Sequence, residues 1–284
     1  KPGEVKVAQL AAGTAELTAY HHGEASMVQT LVAMAQPWMG ANNIALLKPN
    51  GMFGSRHMQR SEHSAERYLF TEKHPIARLL FPAADDAILA MAEDDGKQIE
   101  PVVFCPVVPF LLINGTDGIG TGWKANCPAY SPLDVIDYTR RIVNDPSVVL
   151  PPLVPYYLGF NGTTVVDGDG FVFTGAYTIE GPTSLRITEL PPKQWTTPYI
   201  EWMREHLIGD GDRRFVLKVI DSSTNDAVDI LVKTKPDARL TERDLVRELK
   251  LSVRIDTKHL NFFDESGRLR HYDGIDAIAK EHAQ

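Results

Sequence analysis

The chain has 284 residues, of which 43% are hydrophobic and 23% are charged, and its formal net charge is −8 at pH 7. This length and composition suit one large or two ordinary folded domains, and they exclude the disordered and collagen-like classes. No apolar run reaches the ~20 residues that a membrane-spanning helix needs, so we expect no membrane partner.

The sequence begins Lys1-Pro2-Gly3-Glu4, which resembles neither a signal peptide nor a natural initiator. We therefore expect a soluble segment of a longer chain. Two cysteines, Cys105 and Cys127, are too few for a disulfide framework. A single bridge between them stays open, and a reducing compartment is the preferred interpretation.

An acidic average disfavours DNA binding, because phosphate contacts need clustered cations. The distribution of charge matters more than the average. Basic and imidazole side chains gather in one short stretch, at Arg56, His57, Arg60, His63 and Arg67. Acidic side chains gather later, at 85–86 and 93–95. The pattern permits a basic face on an acidic protein, and it also permits a solvated charge run without function.

The first predicted helix covers residues 25–36 and is followed by Pro37. Its apolar positions fall on one helix face: Val28, Leu31, Val32 and Ala35. His21 and His22 stand just before it. Adjacent side chains on a helix point about 100° apart, unlike the i, i+4 pair of a zinc helix. The pattern therefore favours contact with an anion such as phosphate over metal ligation.

Turn-forming glycines at Gly51 and Gly54 lead through the basic stretch to a strand-like run at 67–70. We expect Tyr68 to lie beside a loop and a strand, outside any helix. An Arg-Tyr pair alone is uninformative, because most tyrosines are surface or packing residues.

A glycine-rich segment at 114–123 follows the apolar run 107–113 and is predicted to form a tightly folded loop. Trp123 occupies the place of the last glycine in a dinucleotide fingerprint, so we predict no nucleotide site here. Ile119 lies between two glycines, an unusual position for a core side chain. Proteins that kink DNA insert apolar wedges of this kind between base steps.

The rest of the chain is predicted to be rich in strands. Ser131, with Pro at the next position and Asp three residues after it, predicts a capped helix, and Thr241 opens another. The predicted strands are 163–166, 171–174 and an alternating run at 228–232, and a late turn covers 265–267. The Asp-Gly-Asp sequences at 167–169 and 210–212 are interpreted as turns and not as magnesium ligands. The fold class is therefore α+β.

Seven segments, taken in order, resemble the eukaryotic-type DNA topoisomerase II, a type IIA topoisomerase. They are Lys6–Leu10, Tyr20–Glu24, Phe53–Arg56, Arg67–Tyr68, Leu79–Phe81, Ile113–Gly115 with Gly118–Trp123, and Thr188–Pro191. Bacterial relatives, gyrase A and its topoisomerase IV counterpart, typically carry Tyr-His-Pro-His-Gly-Asp in place of Tyr-His-His-Gly-Glu. They are the second interpretation.

The resemblance implies a winged-helix domain over residues 1–105, a strand-rich tower domain over 106–270 and the start of a coiled-coil segment over 271–284. It implies that Tyr68 is the nucleophile and that Arg67 and His22 are its catalytic partners. Contacts to DNA are implied for Ile119, Arg56, His21, Lys124, Trp123 and Lys6, with Ile119 as the intercalating side chain. No metal ligand is expected in this chain.

The implied activity is ATP-dependent. Double-stranded DNA is cleaved transiently through a phosphotyrosine link, and strand passage and religation follow. Mg²⁺ is expected to be bound by an acidic domain absent from this chain, and ATP by another part of the full-length homodimer. The nucleus is the expected compartment, with an organelle or a virus as open alternatives. A non-catalytic DNA-bending winged-helix protein and a plain interaction scaffold are the rival hypotheses.

Two positions depart from the family pattern. The family usually has Gly-Gly-Lys-Asp where this chain has Gln59-Arg60-Ser61-Glu62, so the family lysine is missing although Arg60 stands nearby. Lys124 follows Gly122-Trp123, where a small residue is expected. The departures indicate a divergent source.

Overall fold

The computed structural model describes residues 3–211, 214–238 and 240–284, in which helices and antiparallel strands form an α+β fold. The predicted class is confirmed. The first third contains β1 (Val5–Lys6), α1 (Val7–Leu17), α2 (Glu24–Met34), β2 (Leu47–Asn50) and β3 (Phe70–Lys73). Strand β3 is central and pairs with β1 and β2. Two helices against a small sheet form a winged-helix arrangement.

The predicted helix face is the buried face of α2, since Val28, Leu31 and Val32 are all less than 9% exposed. They pack with the buried side of α1 and with Phe53 and Leu69 in one core cluster. Helix α1 was not predicted from the sequence pattern. Its apolar residues are mostly alanines, which favour a helix but give a weak periodic signal.

The middle of the chain contains α3 (Ala77–Leu80), β4 (Met91–Asp94), β5 (Lys97–Pro101), α4 (Phe110–Asn114), β6 (Thr116–Gly120), β7 (Trp123–Cys127) and α5 (Pro132–Asn144). The glycine-rich segment, predicted as an irregular loop, is the β6–β7 hairpin. Helix α5 begins as predicted, with the Ser131 hydroxyl accepting from the Asp134 N–H at 3.4 Å.

The later part contains β8 (Thr163–Asp167), β9 (Gly170–Thr174), β10 (Tyr177–Gly181), β11 (Ser184–Ile187), α6 (Thr196–Leu207), β12 (Val216–Asp221), β13 (Ile230–Thr234), α7 (Glu242–Glu248) and β14 (Ser252–Asp256). Its two sheets have the orders β10-β11-β13-β12 and β14-β9-β8. The predicted hairpin at 163–174 is confirmed. The alternating run is a strand only from Ile230, and α7 has the capping box predicted at Thr241.

The largest core lies between the four-stranded sheet and α6. It contains Leu185 and Ile187 from β11, Ile230 and Val232 from β13, and four side chains of α6. Helix α6 was not predicted, although its buried side chains, Tyr199, Ile200, Met203 and Leu207, have helical spacing.

The chain ends with the hairpin β15 (Asn261–Phe263) and β16 (Leu269–His271) and with α8 (Ile275–His282). The turn predicted at 265–267 joins the two strands. Ile278 and Ala279 of α8 are buried in the core cluster that also includes Leu80, Leu112 and residues of α5. This core therefore has members on both sides of the predicted boundaries at 105 and 270.

A buried ion pair joins the winged-helix part to the strand-rich part. Arg56 follows β2, is 5% exposed, and donates both terminal guanidinium nitrogens to the carboxylate of Glu189, which is fully buried. The backbone N–H groups of Asn161 and Leu190 donate to the same carboxylate at 3.1 and 2.8 Å. Burial lowers the pKa of Arg56 to about 10, so the guanidinium stays charged at neutral pH.

The neighbouring backbone reinforces this junction. The N–H of Thr196 donates to the carbonyl of Arg56 at 3.3 Å, and the N–H of Thr197 donates to the carbonyl of His57 at 2.8 Å. The His57 ring lies 3.2 Å from the Asp221 carboxylate. Arg56, expected to contact a DNA phosphate, is thus turned into the protein, because Glu189 already satisfies its charge.

Replacing Glu189 with Ala should leave the Arg56 guanidinium buried without a counter-charge. The free energy of unfolding is expected to fall by about 3–5 kcal/mol, the usual cost of breaking a buried ion pair. Denaturant unfolding measures this loss. Glu180→Ala removes one partner of the solvated Arg186 pair and should change stability far less. Equal losses in the two variants would contradict the buried pair's role.

The two cysteines are free, so the bridge that the sequence left open is not formed. Cys105 is exposed, whereas Cys127 is buried, and burial raises the pKa of the Cys127 thiol to about 12. The thiolate is the reactive form of cysteine. At pH 8 we expect a thiol reagent to label Cys105 in the native chain and to reach Cys127 only after unfolding, as mass spectrometry can check. Native labelling of Cys127 would contradict this burial.

Candidate functional site

Tyr68 ends a single 3₁₀ turn, Glu66–Tyr68, and β3 begins two residues later. The sequence predicted a strand-like run from residue 67. Strand pairing starts only at Phe70, opposite Lys6, while Leu69 is fully buried in the front core. The turn therefore leaves the Tyr68 side chain outside the core, 64% exposed. Within the described ranges, no acceptor or donor holds its hydroxyl.

Arg67 lies against the ring of this tyrosine. Its guanidinium carbon is 4.9 Å from the centroid of the Tyr68 ring, a cation–π distance. Arg67 is exposed and forms no ion pair with the described residues. A permanent positive charge thus stands beside an exposed phenol, and both groups are open to a ligand.

His22 precedes α2, whose first residue is Glu24. The rings of His22 and Tyr20 meet edge to face, with centroids 5.4 Å apart, and His22 is exposed. The first turns of α2 line one groove with His63 and Glu66, so the start of α2 lies beside the turn that carries Tyr68. His21 is also exposed, and its Nε2 is 4.0 Å from Asp94.

Lys6 lies on the other side of the same turn. It pairs in register with Phe70, and its Nζ is 5.9 Å from the centroid of the Phe70 ring. Lys6 is exposed at the edge of the small sheet. The winged-helix part thus surrounds an exposed tyrosine with cationic and imidazole groups, and no step in this neighbourhood needs a buried charge.

The segment that departs from the family pattern is held close to α2. The Nε of Arg60 donates to the Gln36 side-chain oxygen at 2.9 Å, and the Gln36 amide donates back to the Arg60 carbonyl at 2.9 Å. Gln59 has φ of +144°, a conformation that suits glycine far better than glutamine. Partial burial lowers the pKa of Arg60.

The β6–β7 hairpin projects Ile119 into solvent with 89% of its surface exposed. Its cross-strand partner is Lys124, and Gly122 has φ of +83° in the two-residue connection. A Cβ on Gly120 would lie 2.3 Å from the Trp123 ring, so glycine is required there. Trp123, expected to contact DNA, is half-buried and packs edge to face on Phe263, at 5.8 Å.

The base of this hairpin is fixed to the segment before β15. The N–H of Asn126 donates to the carbonyl of His259 at 2.8 Å, and the Asn261 side chain donates to the carbonyl of Lys124 at 2.7 Å. An exposed apolar side chain on a braced hairpin can enter another surface without a rearrangement of its support.

Two residues at this hairpin were missed in the sequence. Asp117 of β6 lies 3.6 Å from Lys124 Nζ and 3.7 Å from Lys193 Nζ. Lys193 has φ of +68°, in the left-handed region. No sequence motif marks either residue, because the pair joins positions far apart in the chain.

No group of three or more His, Cys, Asp or Glu side chains among the described residues is arranged to hold a metal ion. The Asp167 and Asp169 carboxylates accept from Arg254 at 2.9 and 2.6 Å, so they serve the turn. The second Asp-Gly-Asp sequence includes Asp212, which lies outside the described residues. Across the described ranges, no helix has both the length and the apolar character that crossing a bilayer needs.

Comparisons with known proteins bear on this geometry. The profile of the family described as the A-type chain of DNA gyrase/topoisomerase IV matches residues 1–284. DNA topoisomerase 2 of Pisum sativum is 38% identical over 287 residues, which cover 98% of this chain and 19% of that protein. DNA topoisomerase 2 top-2 of Caenorhabditis elegans is 39% identical over 285 residues, with the same coverage. The chain spans about a fifth of the length of these curated relatives.

A solved structure is also similar. The crystal structure of the Plasmodium falciparum topoisomerase II DNA-binding, cleavage and re-ligation domain has a TM-score of 0.94 to this chain at 38% identity. The match covers 99% of this chain and 38% of that one.

The hairpin geometry makes a stability prediction. Ile119→Ala should change the free energy of unfolding by less than about 0.5 kcal/mol, because the side chain contacts mostly solvent. Gly120→Ala should cost clearly more, because its methyl group would displace the Trp123 ring from Phe263. Thermal unfolding of the two variants measures the difference. A large loss for Ile119→Ala would mean that this side chain packs inside the protein.

Proposed function

The chain belongs to the DNA gyrase/topoisomerase IV family, in its A-type branch, and from that premise we propose that it is the DNA-cleaving and DNA-bending segment of a eukaryotic-type, type IIA DNA topoisomerase. The observation that carries the proposal is an exposed tyrosine with a guanidinium against its ring, in the same chain as an exposed isoleucine on a braced hairpin. The relatives named above are called DNA topoisomerase 2, which favours the eukaryotic type over the bacterial one.

The proposed reaction is a transfer between two esters. The Tyr68 oxygen attacks a backbone phosphorus, a phosphotyrosine ester forms, the phosphorus bond to the sugar oxygen breaks, and that oxygen takes up a proton. A neutral phenol is a poor nucleophile until a base accepts its proton. No water is consumed and one phosphate ester replaces another, so the reverse reaction reseals the strand.

Negative charge develops on the phosphate during this transfer, and donors placed beforehand stabilise it. We assign this role to Arg67 and His22. The support is that Arg67 is unpaired within the described ranges and that the helix start after His22 lines a groove with Glu66. Lys6 and His21, both exposed, are proposed to contact the backbone of the same DNA segment.

The bend is assigned to Ile119. Its exposure and its braced hairpin suit a side chain that enters a base step and unstacks it. Lys124, directly across the hairpin, is proposed to contact a flanking phosphate. Trp123 supports the hairpin from behind, and Arg56 is not carried into the proposed interface. Sequence preference should be weak, because deformability is read and not base edges.

We propose the domain limits stated above: winged helix to residue 105, tower to 270, and the start of a coiled coil beyond. The full-length protein is proposed to be a nuclear or organellar homodimer that acts on double-stranded DNA and uses ATP. Magnesium chemistry would stabilise the leaving oxygen. The described residues do not fit an ion, so we assign the metal to an acidic domain elsewhere and derive no step from it.

A non-catalytic DNA-bending protein is the second candidate. It would use the same hairpin but has no need for an exposed tyrosine beside an unpaired arginine. The geometry around Tyr68 therefore favours the enzyme.

Tyr68→Phe tests the nucleophile. The chain is combined with the separately produced acidic domain of the same protein, Mg²⁺ and supercoiled plasmid, and covalent protein–DNA product is trapped with detergent. Wild type should form the adduct. Tyr68→Phe should form none while binding DNA as well as wild type, because only the attacking oxygen is lost. Tyr156→Phe, at another partly exposed tyrosine, is the matched control and should react normally. An adduct that persists in Tyr68→Phe would overturn the assignment.

A further inference from the structure

One carboxylate stands between two ammonium groups at the base of the β6–β7 hairpin. Asp117 Oδ1 is 3.6 Å from Lys124 Nζ, and Asp117 Oδ2 is 3.7 Å from Lys193 Nζ. All three side chains are between 43% and 47% exposed. The cluster carries a net charge of +1 and joins the hairpin to the segment between β11 and α6.

This cluster is on the same face of the hairpin as Ile119. Side chains two apart on a strand point to one face, which places Asp117 with Ile119. Lys124 is the cross-strand partner of Ile119 and shares that face. Trp123 and Gly120 form the neighbouring pair and belong to the opposite face, which packs on Phe263. The two ammonium groups therefore stand beside the exposed isoleucine.

The spacing suits a nucleic acid backbone. Residues 117 and 119 are separated by about 6.6 Å along the strand. Successive phosphates on one DNA strand advance about 3.4 Å along the helix axis. A side chain inserted at position 119 would thus hold the cluster about two nucleotides away, where a flanking phosphate passes.

The backbone of Lys193 is held in a costly conformation. A non-glycine residue at φ of +68° is in the left-handed region, which branched and long side chains rarely adopt. The segment has little freedom to relax. The Lys193 nitrogen lies 3.1 Å from where a Cβ on Gly40 would stand, and the Gln194 amide donates to the Lys250 carbonyl at 3.2 Å. Strain of this kind gathers at functional sites.

We propose that Lys193 is a phosphate-binding residue that acts together with the Ile119 wedge, and that Asp117 positions it until DNA arrives. The inference rests on the proposed function and extends it to a residue that no motif marks. The Asp117 contacts are long and solvated, and such pairs are weak. A DNA phosphate can therefore take over the Lys193 ammonium without a large cost.

Lys193→Gln removes the charge, and Lys193→Gly also removes the backbone strain. Binding of the full 284-residue chain to a labelled duplex of about 30 base pairs is measured by anisotropy over a series of salt concentrations. Both variants should bind about three- to tenfold more weakly at low salt, and the slope of log affinity against log salt should fall by about one. Lys258→Gln, at an exposed lysine paired with Asp169, is the matched control and should change neither quantity.

Thermal unfolding separates a binding role from a structural one. Glycine adopts left-handed φ freely, so Lys193→Gly should raise Tm by about 2 °C while it weakens DNA binding. A residue retained for stability would lose both together. The losses of Ile119→Ala and Lys193→Gln in DNA bending, measured by energy transfer between the duplex ends, should be non-additive, because both belong to one contact.

The outcomes distinguish the two proposals. If wild type bends DNA, Ile119→Ala abolishes the bend, and Lys193→Gln behaves like Lys258→Gln, the inference about Lys193 is overturned and the proposed function stands. If wild type neither binds nor bends the duplex, both are overturned. A lower Tm for Lys193→Gly would also overturn the proposed role, because it would show that the lysine serves the fold.

Discussion

The arrangement of the whole chain depends on the buried pair between Arg56 and Glu189. A guanidinium and a carboxylate that leave water together hold their places only if each finds every partner in the other and in nearby backbone. Glu189 accepts from Arg56 and from two backbone N–H groups, and the loop that carries Arg56 is bonded on to α6. This junction fixes the winged-helix part, with Tyr68, relative to the part that carries Ile119.

The chemistry stands on supports that are themselves buried. Tyr68 is exposed because the next residue, Leu69, is fully buried and anchors the turn. Ile119 is exposed because Trp123 packs over Gly120 on the other face of the hairpin. In both places one side chain pays the cost of order, and its neighbour stays free to meet a ligand. The rigid part of the molecule is therefore distinct from the groups proposed to touch DNA.

Charge follows the same division. The chain is acidic on average, yet Arg67 is unpaired within the described ranges, and the two lysines at the hairpin share a single carboxylate. The fully buried pair at Arg56 is structural, because phosphate cannot reach it. Solvated lysines pair weakly, so a strand's phosphates can compete for them. Burial thus decides which cations of one basic stretch belong to the fold and which remain available.

The sequence by itself determined the elements whose signals are local. The face of α2, the caps at Ser131 and Thr241 and the turn at 168–169 depend on neighbours a few residues apart, and so does the ordered series of motifs that identified the family. Only the tertiary structure decided the rest. Arg56 and Lys193 are both basic residues in polar segments, and nothing adjacent in the sequence separates them. One meets Glu189, 133 positions away, and becomes buried. The other meets Asp117 in a strained, exposed turn, because long-range contacts, which no local pattern encodes, set burial and backbone conformation.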